Sequence, residues 1–341
     1  MINQVVCSIG VDISKDSFHS CIMTSDKSLK NIPATKKFSN SKKGFISFFS
    51  WLKKLKIDIS TSLIVMEATG VYWENLALFS YEEMKAKVSV INPRQIKHFA
   101  HTNLRRSKTD PLDANLISQF GLVMNPHVWT PCDPLIRELK QILRERDSFI
   151  KMITEEKNRL SSIEDSITQS KETIKAHKKT IAFLQKQVEK LEQLLEEKIK
   201  SDPALSSKID LLKEIPSVGK ILSSVIVAET NNMQGFDCAK QLASYVGIAP
   251  CQNQSGQVTK KTKISKVGNV HIRKNLYMSA LSGIRFNPIL KAFYLRLKKK
   301  GKPSKAALVA VARKLLHIIF AILKSGVPFD PNHISKNPAL A

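Results

Sequence analysis

The run Val5-Val6-Cys7-Ser8-Ile9-Gly10-Val11-Asp12 decides the fold of the first part of this chain. Its apolar and small residues, closed by an acid, predict a buried β-strand that ends at a sheet edge. The segment Phe18–Met23 follows after a short polar turn and is expected to pair with it as a hairpin. Outward from this pair, we predict strands at Lys36–Phe38, Leu63–Glu67 and Val88–Ile91 and helices at Gly44–Lys54 and about Val71–Met84. Strands that alternate with helices favour a mixed α/β sheet.

The predicted order over residues 1–130 is β-β-β-α-β-α-β-α, which is the order of an RNase H-like domain. Four acids stand out in it. Asp12 and Glu67 close two of the predicted strands, and Asp110 and Asp113 lie three residues apart, on one face of a helix. Pro111 suits the first turn of that helix, so Asp110 is expected to cap it.

Together the four acids indicate a hard-cation site, because Mg²⁺ prefers oxygen ligands in octahedral array, and such sites serve phosphoryl chemistry. Gathering four carboxylates costs Coulomb energy, which a divalent cation offsets. Taken alone, Asp12 could equally be a strand-end residue that makes a turn hydrogen bond.

Residues 131–203 are predicted to form a long coiled-coil segment. Apolar residues recur there at strict sevens, at Ile153, Leu160, Ile167, Ile174, Ile181, Val188 and Leu195, and Gly and Pro are absent from 135–202. The pattern fits one long helix or a helical hairpin. Glu156, Ser170 and His177 occupy would-be core positions in its first half, which leaves open that the helix packs along its own domain.

Residues 204–330 are predicted to form a mainly α-helical, basic domain, with the last strong helix at about Ser304–Lys324. Two apolar helices are joined there through Ile215-Pro216-Ser217-Val218-Gly219, which looks like a helix-hairpin-helix turn. The N–H groups of such a turn and the following helix N-terminus suit a phosphate. A plain helical turn is the alternative.

The charge of the chain is large and uneven. The net charge is +25 with a pI near 9.8, and eighteen Lys and Arg but no Asp or Glu lie between Cys238 and Phe329. Ordinary surfaces mix both signs, so a stretch of 92 residues without acids is not explained by a solvated basic face. We expect nucleic-acid contact there, through Lys–phosphate pairing.

Ser255 is the best candidate nucleophile in this acid-free block, because the block has no carboxylate to bind a metal. It lies before Gly256 in a polar loop, with several lysines nearby to bind an attacked phosphate. A loop serine in a turn is the alternative from spacing alone. The cations expected to hold phosphates are Lys260, Lys261, Lys263, Lys266, Arg273 and Lys274.

Composition excludes several classes of protein. With 43% hydrophobic and 24% charged residues the chain is globular. Five scattered cysteines without a CxxC pair argue against a disulfide framework or a zinc site. The start Met1-Ile2-Asn3-Gln4 lacks signal-peptide features, and the apolar stretch 315–323 is interrupted by His317 and too short to span a bilayer. A cytoplasmic protein without a membrane partner is expected.

Taken in order, the motifs of this chain resemble those of the DEDD-type transposases of bacterial insertion sequences, a family of serine recombinases guided by a bridge RNA. The resemblance covers nearly the whole chain. In the first half it rests on Ile9-Gly10-Val11-Asp12-Ile13-Ser14-Lys15, Met66-Glu67-Ala68-Thr69-Gly70, Val90-Ile91-Asn92-Pro93 and Lys108-Thr109-Asp110-Pro111-Leu112-Asp113-Ala114. In the second half it rests on Ile215-Pro216-Ser217-Val218-Gly219, Tyr245-Val246-Gly247-Ile248-Ala249-Pro250, Ser255-Gly256 and Ile264-Ser265-Lys266-Val267-Gly268-Asn269, then Ile272-Arg273. Each motif is weak alone, and the set in this order is specific.

The resemblance implies a RuvC-like first domain with Asp12, Glu67, Asp110 and Asp113 as the Mg²⁺ tetrad, and Ser255 as a nucleophile that forms a transient phosphoserine link to DNA. It also implies a coiled coil used in assembly, so a homo-oligomer (dimer or tetramer), and a composite site completed by the serine of another subunit. Gln254 and Gln257 depart from the glycine- or serine-rich versions expected around the serine.

The expected function is therefore a recombinase that excises and inserts a mobile DNA element, with element ends and target DNA as partners and a guide RNA to choose the target. One rival is a metal-dependent, junction-resolving endonuclease that uses water as its nucleophile. A second rival is a nucleic-acid-binding protein without enzymatic activity.

Overall fold

The computed structural model describes residues 7–25, 35–102, 109–251 and 264–331, and the backbone of residues 254–255, 258–259 and 263. The chain divides into two compact units, residues 1–131 and 132–341.

The first unit is built on a five-stranded sheet in the order β3-β2-β1-β4-β5. Its strands are β1 Cys7–Ile13, β2 Ser17–Thr24, β3 Thr35–Ser39, β4 Ser62–Glu67 and β5 Lys87–Ile91. Strands β1–β3 pair antiparallel, whereas β4 pairs parallel to both β1 and β5. The described residues of the unit also form the helices α1 Lys42–Lys54, α2 Glu74–Glu82, α3 Pro93–Thr102 and α4 Asp110–Met124. The predicted mixed α/β sheet is confirmed, and its strand order agrees with an RNase H-like domain.

The two faces of the sheet bury different clusters. On one face, Phe18 and Phe38 stack at 5.4 Å and pack against the aromatic side of α1, which Phe45, Phe48 and Trp51 provide. Fully burying each such side chain contributes up to about 3 kcal/mol relative to exposure. The opposite face buries residues of β4, β5, α3 and α4, namely Leu63, Val65, Ile91, Ile96, Leu116, Ile117 and Phe120. Helix α4 therefore covers one face of the sheet and α1 the other.

The second unit is mainly helical, as predicted. Its helices are α5 Pro134–Glu164, α6 Lys171–Lys200, α7 Pro203–Lys213, α8 Lys220–Glu229, α9 Ala239–Val246, α10 Val270–Phe286, α11 Pro288–Lys299 and α12 Ser304–Ser325. Many of them begin at a polar cap. The side chains of Asp133, Ser170, Asp202, Asn269 and Asn287 each accept a bond from a backbone N–H of the first turn. A shared apolar core joins the unit.

Residues 134–200 form a helical hairpin, which is one of the two predicted alternatives, and not one long helix. Helix α5 ends at Glu164 and α6 begins at Lys171, packed against it. Ile167, a member of the seven-residue series, lies in the connection and is fully exposed. The heptads are thus interrupted at the turn, while Ile181 and Leu195 are buried within the unit. The coiled coil between subunits stays a prediction.

Four short strands extend the connection between α9 and α10, a feature that the sequence did not predict. They are β6 Pro250–Cys251, β7 Gln254–Ser255, β8 Val258–Thr259 and β9 Lys263–Ile264. β6 pairs with β9 and β7 with β8, both antiparallel. The segment 250–264 therefore doubles back on itself with Ser255 in the inner pair, and we call it the serine hairpin.

Helix α12 is the one helix, within the described ranges, that is long and apolar enough to cross a membrane, with a mean hydropathy of 2.1 over its best window. Half of that window is buried inside the protein. Ala307, Val311, Leu315 and Ile319 are completely buried in the core of the second unit. This burial is that of a core helix of a globular domain.

Candidate active site

The carboxylate of Asp12 is placed by the alternation of β1. Cys7, Ile9, Val11 and Ile13 belong to the cluster on the α1 side of the sheet, so the intervening residues face α4. A Cβ atom added to Gly10 would lie 2.2 Å from the carbonyl oxygen of Ala114 and 2.3 Å from the amide nitrogen of Ser118. Helix α4 thus lies directly on β1, and Asp12 belongs to the face that it covers.

Glu67, the last residue of β4, belongs to the same face. Leu63 and Val65 pack with α4, and strand alternation puts Glu67 on their side. In the parallel register of β1 and β4, Val11 pairs with Met66, so Asp12 and Glu67 follow on neighbouring strands at the same level. The hydroxyl of Thr69 donates to Oε1 of Glu67 at 3.0 Å.

Helix α4 brings its first turn to this level. Gly121, late in α4, lies beside Ser8, whereas Ala114 lies beside Gly10, so the helix runs antiparallel to β1. Its first turn, which holds Asp110 and Asp113, therefore reaches the end of β1 where Asp12 lies. The expected cap is shifted by one residue: Thr109 occupies the cap position without a side-chain bond, and Asp110 begins the helix. Both acids gain from the helix dipole at this end.

His19 is a residue of this site that the sequence reasoning missed. It pairs with Asp12 across the antiparallel register of β1 and β2, so both side chains face α4. Its Nδ1 lies 3.6 Å from Oδ2 of Asp110, and its side chain is 15% exposed. The alternation of β2 against β1 could have identified it, because His19 is the residue opposite Asp12 in the predicted hairpin.

The four residues that carry the predicted carboxylates thus lie on one face and at one end of the sheet. Their oxygens are the donor set that Mg²⁺ takes. In the part of the chain that the structure describes, however, no three His, Cys, Asp or Glu side chains are close enough to form a ready ligand group. The backbone positions fit a metal site, and the side chains would have to draw together on the ion.

Ser255 lies in the second unit, on β7 of the serine hairpin. Its backbone pairs with that of Val258 on β8, and Gly256 and Gln257 separate the two in the sequence. Among the lysines predicted to bind phosphate, Lys260 and Lys261 lie outside the described residues, and Lys263 is on β9.

Comparison with known proteins identifies the family. Residues 9–169 match a family model of the DEDD, IS110 type described as a transposase, and residues 209–295 match the transposase IS116/IS110/IS902 family. The chain is 31% identical over 326 residues to the pilin gene-inverting proteins of Moraxella lacunata and Moraxella bovis, which spans 94% of this chain and 97% of each relative.

The chain belongs to the IS116/IS110/IS902 family of transposases. It is also 23% identical over 343 residues to the transposase for insertion sequence element IS1111A of Coxiella burnetii, across 92% of this chain and 89% of that protein. This confirms the predicted family and the prediction of a DNA transposase or recombinase.

Two of the predicted phosphate-binding cations of the transposase already have protein partners. Arg273 donates from NH1 to the backbone carbonyl of Val246 at 2.7 Å, which secures the end of α9. Nζ of Lys274 lies 3.8 Å from Asp147 and its side chain is half exposed. Lys266 is exposed beside the hairpin base. In the described residues, Lys266 and Lys274 are thus the members of the set with an exposed side chain.

Three glutamates and a lysine line a cavity beside the predicted helix-hairpin-helix turn. α7 and α8 are joined through Glu214–Gly219 as expected, but the adjacent cavity of about 670 Å³ is lined by Glu189, Glu192 and Glu196. Nζ of Lys220 lies 2.6 Å from Oε2 of Glu196, and hydrogen bonds from Lys220 and Lys200 lower the pKa of that carboxyl to about 2. Glu196 is thus paired with two lysines and Glu192 with Arg146, and phosphate binding at this turn stays a prediction.

Glu229 is a second residue that sequence reasoning missed. It ends α8, nine residues before the acid-free block, and its side chain is 2% exposed. Burial alone would raise the pKa of Glu229, but the hydrogen bond from Arg144 and the charges of Lys140 and Arg144 together hold it below its usual value. It is therefore an ionised, buried carboxylate at the edge of the basic domain. No local pattern marks it, since Arg144 is 85 residues away.

Proposed function

We propose that this transposase excises and inserts a mobile DNA element through a phosphoserine intermediate at Ser255, with Mg²⁺ at the carboxylate tetrad. The observation that carries the proposal is the convergence of Asp12, Glu67 and the first turn of α4 at one end of the sheet. Strand exchange also fits the relatives, of which two are named for inverting a gene and one for moving an insertion sequence.

Asp12, Glu67, Asp110 and Asp113 would hold the cation through their carboxylate oxygens. When bound, Mg²⁺ polarises the scissile phosphate and offsets its charge. The tetrad's own part is to fix where the phosphate lies, because two members are on the rigid sheet and two on the helix packed against it. His19, at 3.6 Å from Asp110, would orient that carboxylate.

Ser255 would attack the phosphate. Its Oγ forms a bond to phosphorus as the bond from phosphorus to one deoxyribose oxygen breaks, so the serine loses a proton and the leaving strand end becomes a hydroxyl. A hydroxyl of the strand to be joined then attacks the phosphoserine, which restores Ser255. One phosphodiester bond is exchanged for another in each step, so the bond energy is conserved in the phosphoserine ester and no water is consumed.

The basic block would hold the DNA backbone. Lys260, Lys261, Lys263 and Lys266 lie along or beside the serine hairpin in sequence, and Lys274 is on the following helix. Such contacts position a duplex but carry no sequence code. We propose that target choice comes from base pairing to a guide RNA, that the active form is a homo-oligomer, and that the protein acts in the cytoplasm.

A trapping experiment tests the nucleophile. With a nicked DNA substrate and Mg²⁺, the wild-type protein should give a denaturant-stable protein–DNA adduct, and Ser255→Ala should give none. Ser265→Ala is the matched control, since Ser265 is a half-buried serine at the base of the same hairpin, and it should form the adduct normally. DNA affinity should be equal in all three proteins. An adduct in Ser255→Ala that maps to another residue refutes the assignment.

The two rivals give different results in this assay. Mg²⁺-dependent cleavage without an adduct in the wild type favours the junction-resolving endonuclease, and binding without cleavage favours the non-enzymatic protein. Sequencing of RNA that co-purifies with the protein tests the guide: a single defined species is expected, and random host RNA contradicts it.

The metal assignment has its own test, independent of activity. A cation at 100 times its Kd stabilises the fold that binds it by about 2.7 kcal/mol. The unfolding midpoint should therefore rise with Mg²⁺ in the wild type and in the exposed control Asp16→Asn, but not in Asp12→Asn. An equal rise of the midpoint in all three proteins would show that the cation binds at a different site.

A further inference from the structure

The Glu229 carboxylate is held from three directions. Nε of Arg144 donates to Oε1 at 2.8 Å and NH2 of the same guanidinium to Oε2 at 3.1 Å. Nδ2 of Asn269 donates to Oε2 at 2.8 Å, and Nζ of Lys140 lies 3.5 Å away. A bidentate guanidinium with two further donors is strong, directional binding of a buried anion. Glu229 therefore links the α5 side of the unit to Asn269.

Asn269 and Tyr245 mark the two ends of the α9–α10 connection, and both are tied to Glu229. The Tyr245 hydroxyl donates to the backbone carbonyl of Glu229 at 3.0 Å. The backbone N–H of Asn269 donates to the carbonyl of Tyr245 at 2.8 Å, and its Oδ1 accepts from the amide of Ile272, which caps α10. The two ends of the connection thus meet over one carboxylate.

Backbone pairing recurs at three separate places in this connection. The amides of Lys266 and Ser265 donate to the carbonyls of Gly247 and Ala249 at 3.2 and 3.3 Å. Pro250 then pairs with Ile264, and further out Ser255 pairs with Val258. In the described residues, the serine hairpin is thus paired at its base, beside Glu229, and again around the serine.

The backbone at the base of the serine hairpin is tightly packed and leaves no space for a side chain at Gly268. Gly268 has φ +146°, and a Cβ there would lie 2.2 Å from the carbonyl oxygen of Tyr245. The two chain segments can approach this closely because the residue at the point of contact is a glycine, which has no Cβ atom. A shift of Tyr245 or Asn269 would therefore be passed to the start of the hairpin.

We propose that Glu229 is a positioning residue for the serine hairpin: it fixes both ends of the hairpin and so the place where Ser255 meets the phosphate. The proposal rests on the proposed function in so far as Ser255 is the nucleophile. Glu229 acts through Asn269 and Tyr245 and does not touch the DNA. Because misplacement by about 1 Å can cost 10²-fold in rate, a loosened base should slow the attack without weakening DNA binding.

The test compares Glu229→Gln with Glu192→Gln. Both substitutions neutralise a carboxylate paired with an arginine of α5, Arg144 or Arg146, but Glu192 has no bond to the hairpin ends among the described residues. Hydrogen exchange should become about tenfold faster at the amides of residues 254–255, 258–259 and 263–269 in Glu229→Gln, and stay unchanged in α12. Glu192→Gln should exchange like the wild type.

Single-turnover adduct formation on the nicked substrate is the second readout. Its rate should fall roughly 10²-fold in Glu229→Gln with the DNA Kd unchanged, and remain normal in Glu192→Gln. If Glu229→Gln fails to fold, Tyr245→Phe should show the same pattern at a smaller size, because it removes the hydroxyl that donates to the Glu229 carbonyl and accepts from Nδ2 of Asn269 at 3.4 Å but leaves the Glu229 carboxylate in place.

The outcomes separate the two proposals. Unchanged hairpin exchange and an unchanged rate in Glu229→Gln overturn the positioning role, and so does an equal loss in both glutamine variants. A wild type that forms no adduct overturns the nucleophile instead, while faster exchange in Glu229→Gln alone would still support the role of Glu229 at the hairpin base.

Discussion

The proposed carboxylate tetrad depends on the contact of α4 with β1 at Gly10, so we expect Gly10→Ala to be damaging. The added methyl group would meet the Ala114 carbonyl at 2.2 Å and the Ser118 amide at 2.3 Å. Both are backbone atoms of a helix, which cannot rotate away. The helix must lift from the strand, and its first turn, with Asp110 and Asp113, moves with it.

The size of the effect follows from these contacts. Overpacking costs about 1–3 kcal/mol, and the upper end applies here because the backbone must give. Replacing a strand glycine by alanine also restricts the unfolded chain, which stabilises the fold by roughly 0.5–1 kcal/mol. The net loss should be about 2 kcal/mol, which corresponds to a fall in Tm of roughly 6–10 °C for a unit of this size. The rate of DNA cleavage should fall further than the loss of folded protein explains, since the carboxylates of the proposed tetrad are displaced.

Tryptophan fluorescence is a selective assay, because the three tryptophans, Trp51, Trp73 and Trp129, all lie in the first unit. Gly121→Ala probes the same interface from the helix side. Its methyl would meet side chains, Ser8 Oγ at 2.1 Å and Val65 Cγ2 at 2.7 Å, and alanine favours the helix by about 1 kcal/mol, so its loss should be clearly smaller.

Gly219→Ala, in the second unit, has no atom within 4 Å of its new methyl and should leave the tryptophan transition unchanged. A Gly10→Ala protein with the wild-type midpoint and normal cleavage would refute the packing that brings the tetrad together.

Three further predictions concern charge, assembly and pH. DNA affinity should fall steeply with salt, with a log–log slope of roughly −5 or steeper, and Lys260→Ala with Lys261→Ala should flatten it by about 2; an unflattened slope places the phosphate contacts elsewhere. Phe183→Lys should dissociate the oligomer in light scattering if the α5–α6 hairpin forms the seam between subunits, because Phe183 is exposed within its own unit and an unpaired charge buried in the seam is costly; an unaltered mass contradicts that seam. Burial, and then the charge of Arg313 among others, lowers the pKa of His317. The unfolded chain therefore takes up this proton first, and stability should be lost as the pH falls from 7.5 to 5.5; His317→Leu should reduce that loss in urea titrations, and an identical pH profile would contradict it.

The strands and the placement of Asp12 and Glu67 could be predicted because they depend on local pattern. A buried strand needs a short apolar run, and its last residues meet the sheet edge whatever packs on it. The heptad series misled in one respect, because its period continues through Ile167 although the chain turns there. The polar residues Asp165, Ser166, Thr168 and Ser170 were the available sign of that turn.

The serine hairpin could not be predicted as strands, since each of its strands is two residues long and shows no periodicity. The role of Arg273 was likewise hidden, because its partner is the backbone carbonyl of Val246, and a backbone group leaves no trace in the sequence.

The sequence by itself determined the order of the elements, the acids at the ends of β1, β4 and the start of α4, and the basic block around Ser255. Only the tertiary structure decided that α4 runs antiparallel on β1, that His19 joins the acids, and that Glu229 holds Arg144 and Asn269. The physical reason is range. Strand and helix patterns depend on neighbours within a few residues. Glu229, in contrast, contacts Arg144 across 85 positions of the sequence and Asn269 across 40. A buried charge requires partners, but the sequence does not indicate which residues they are.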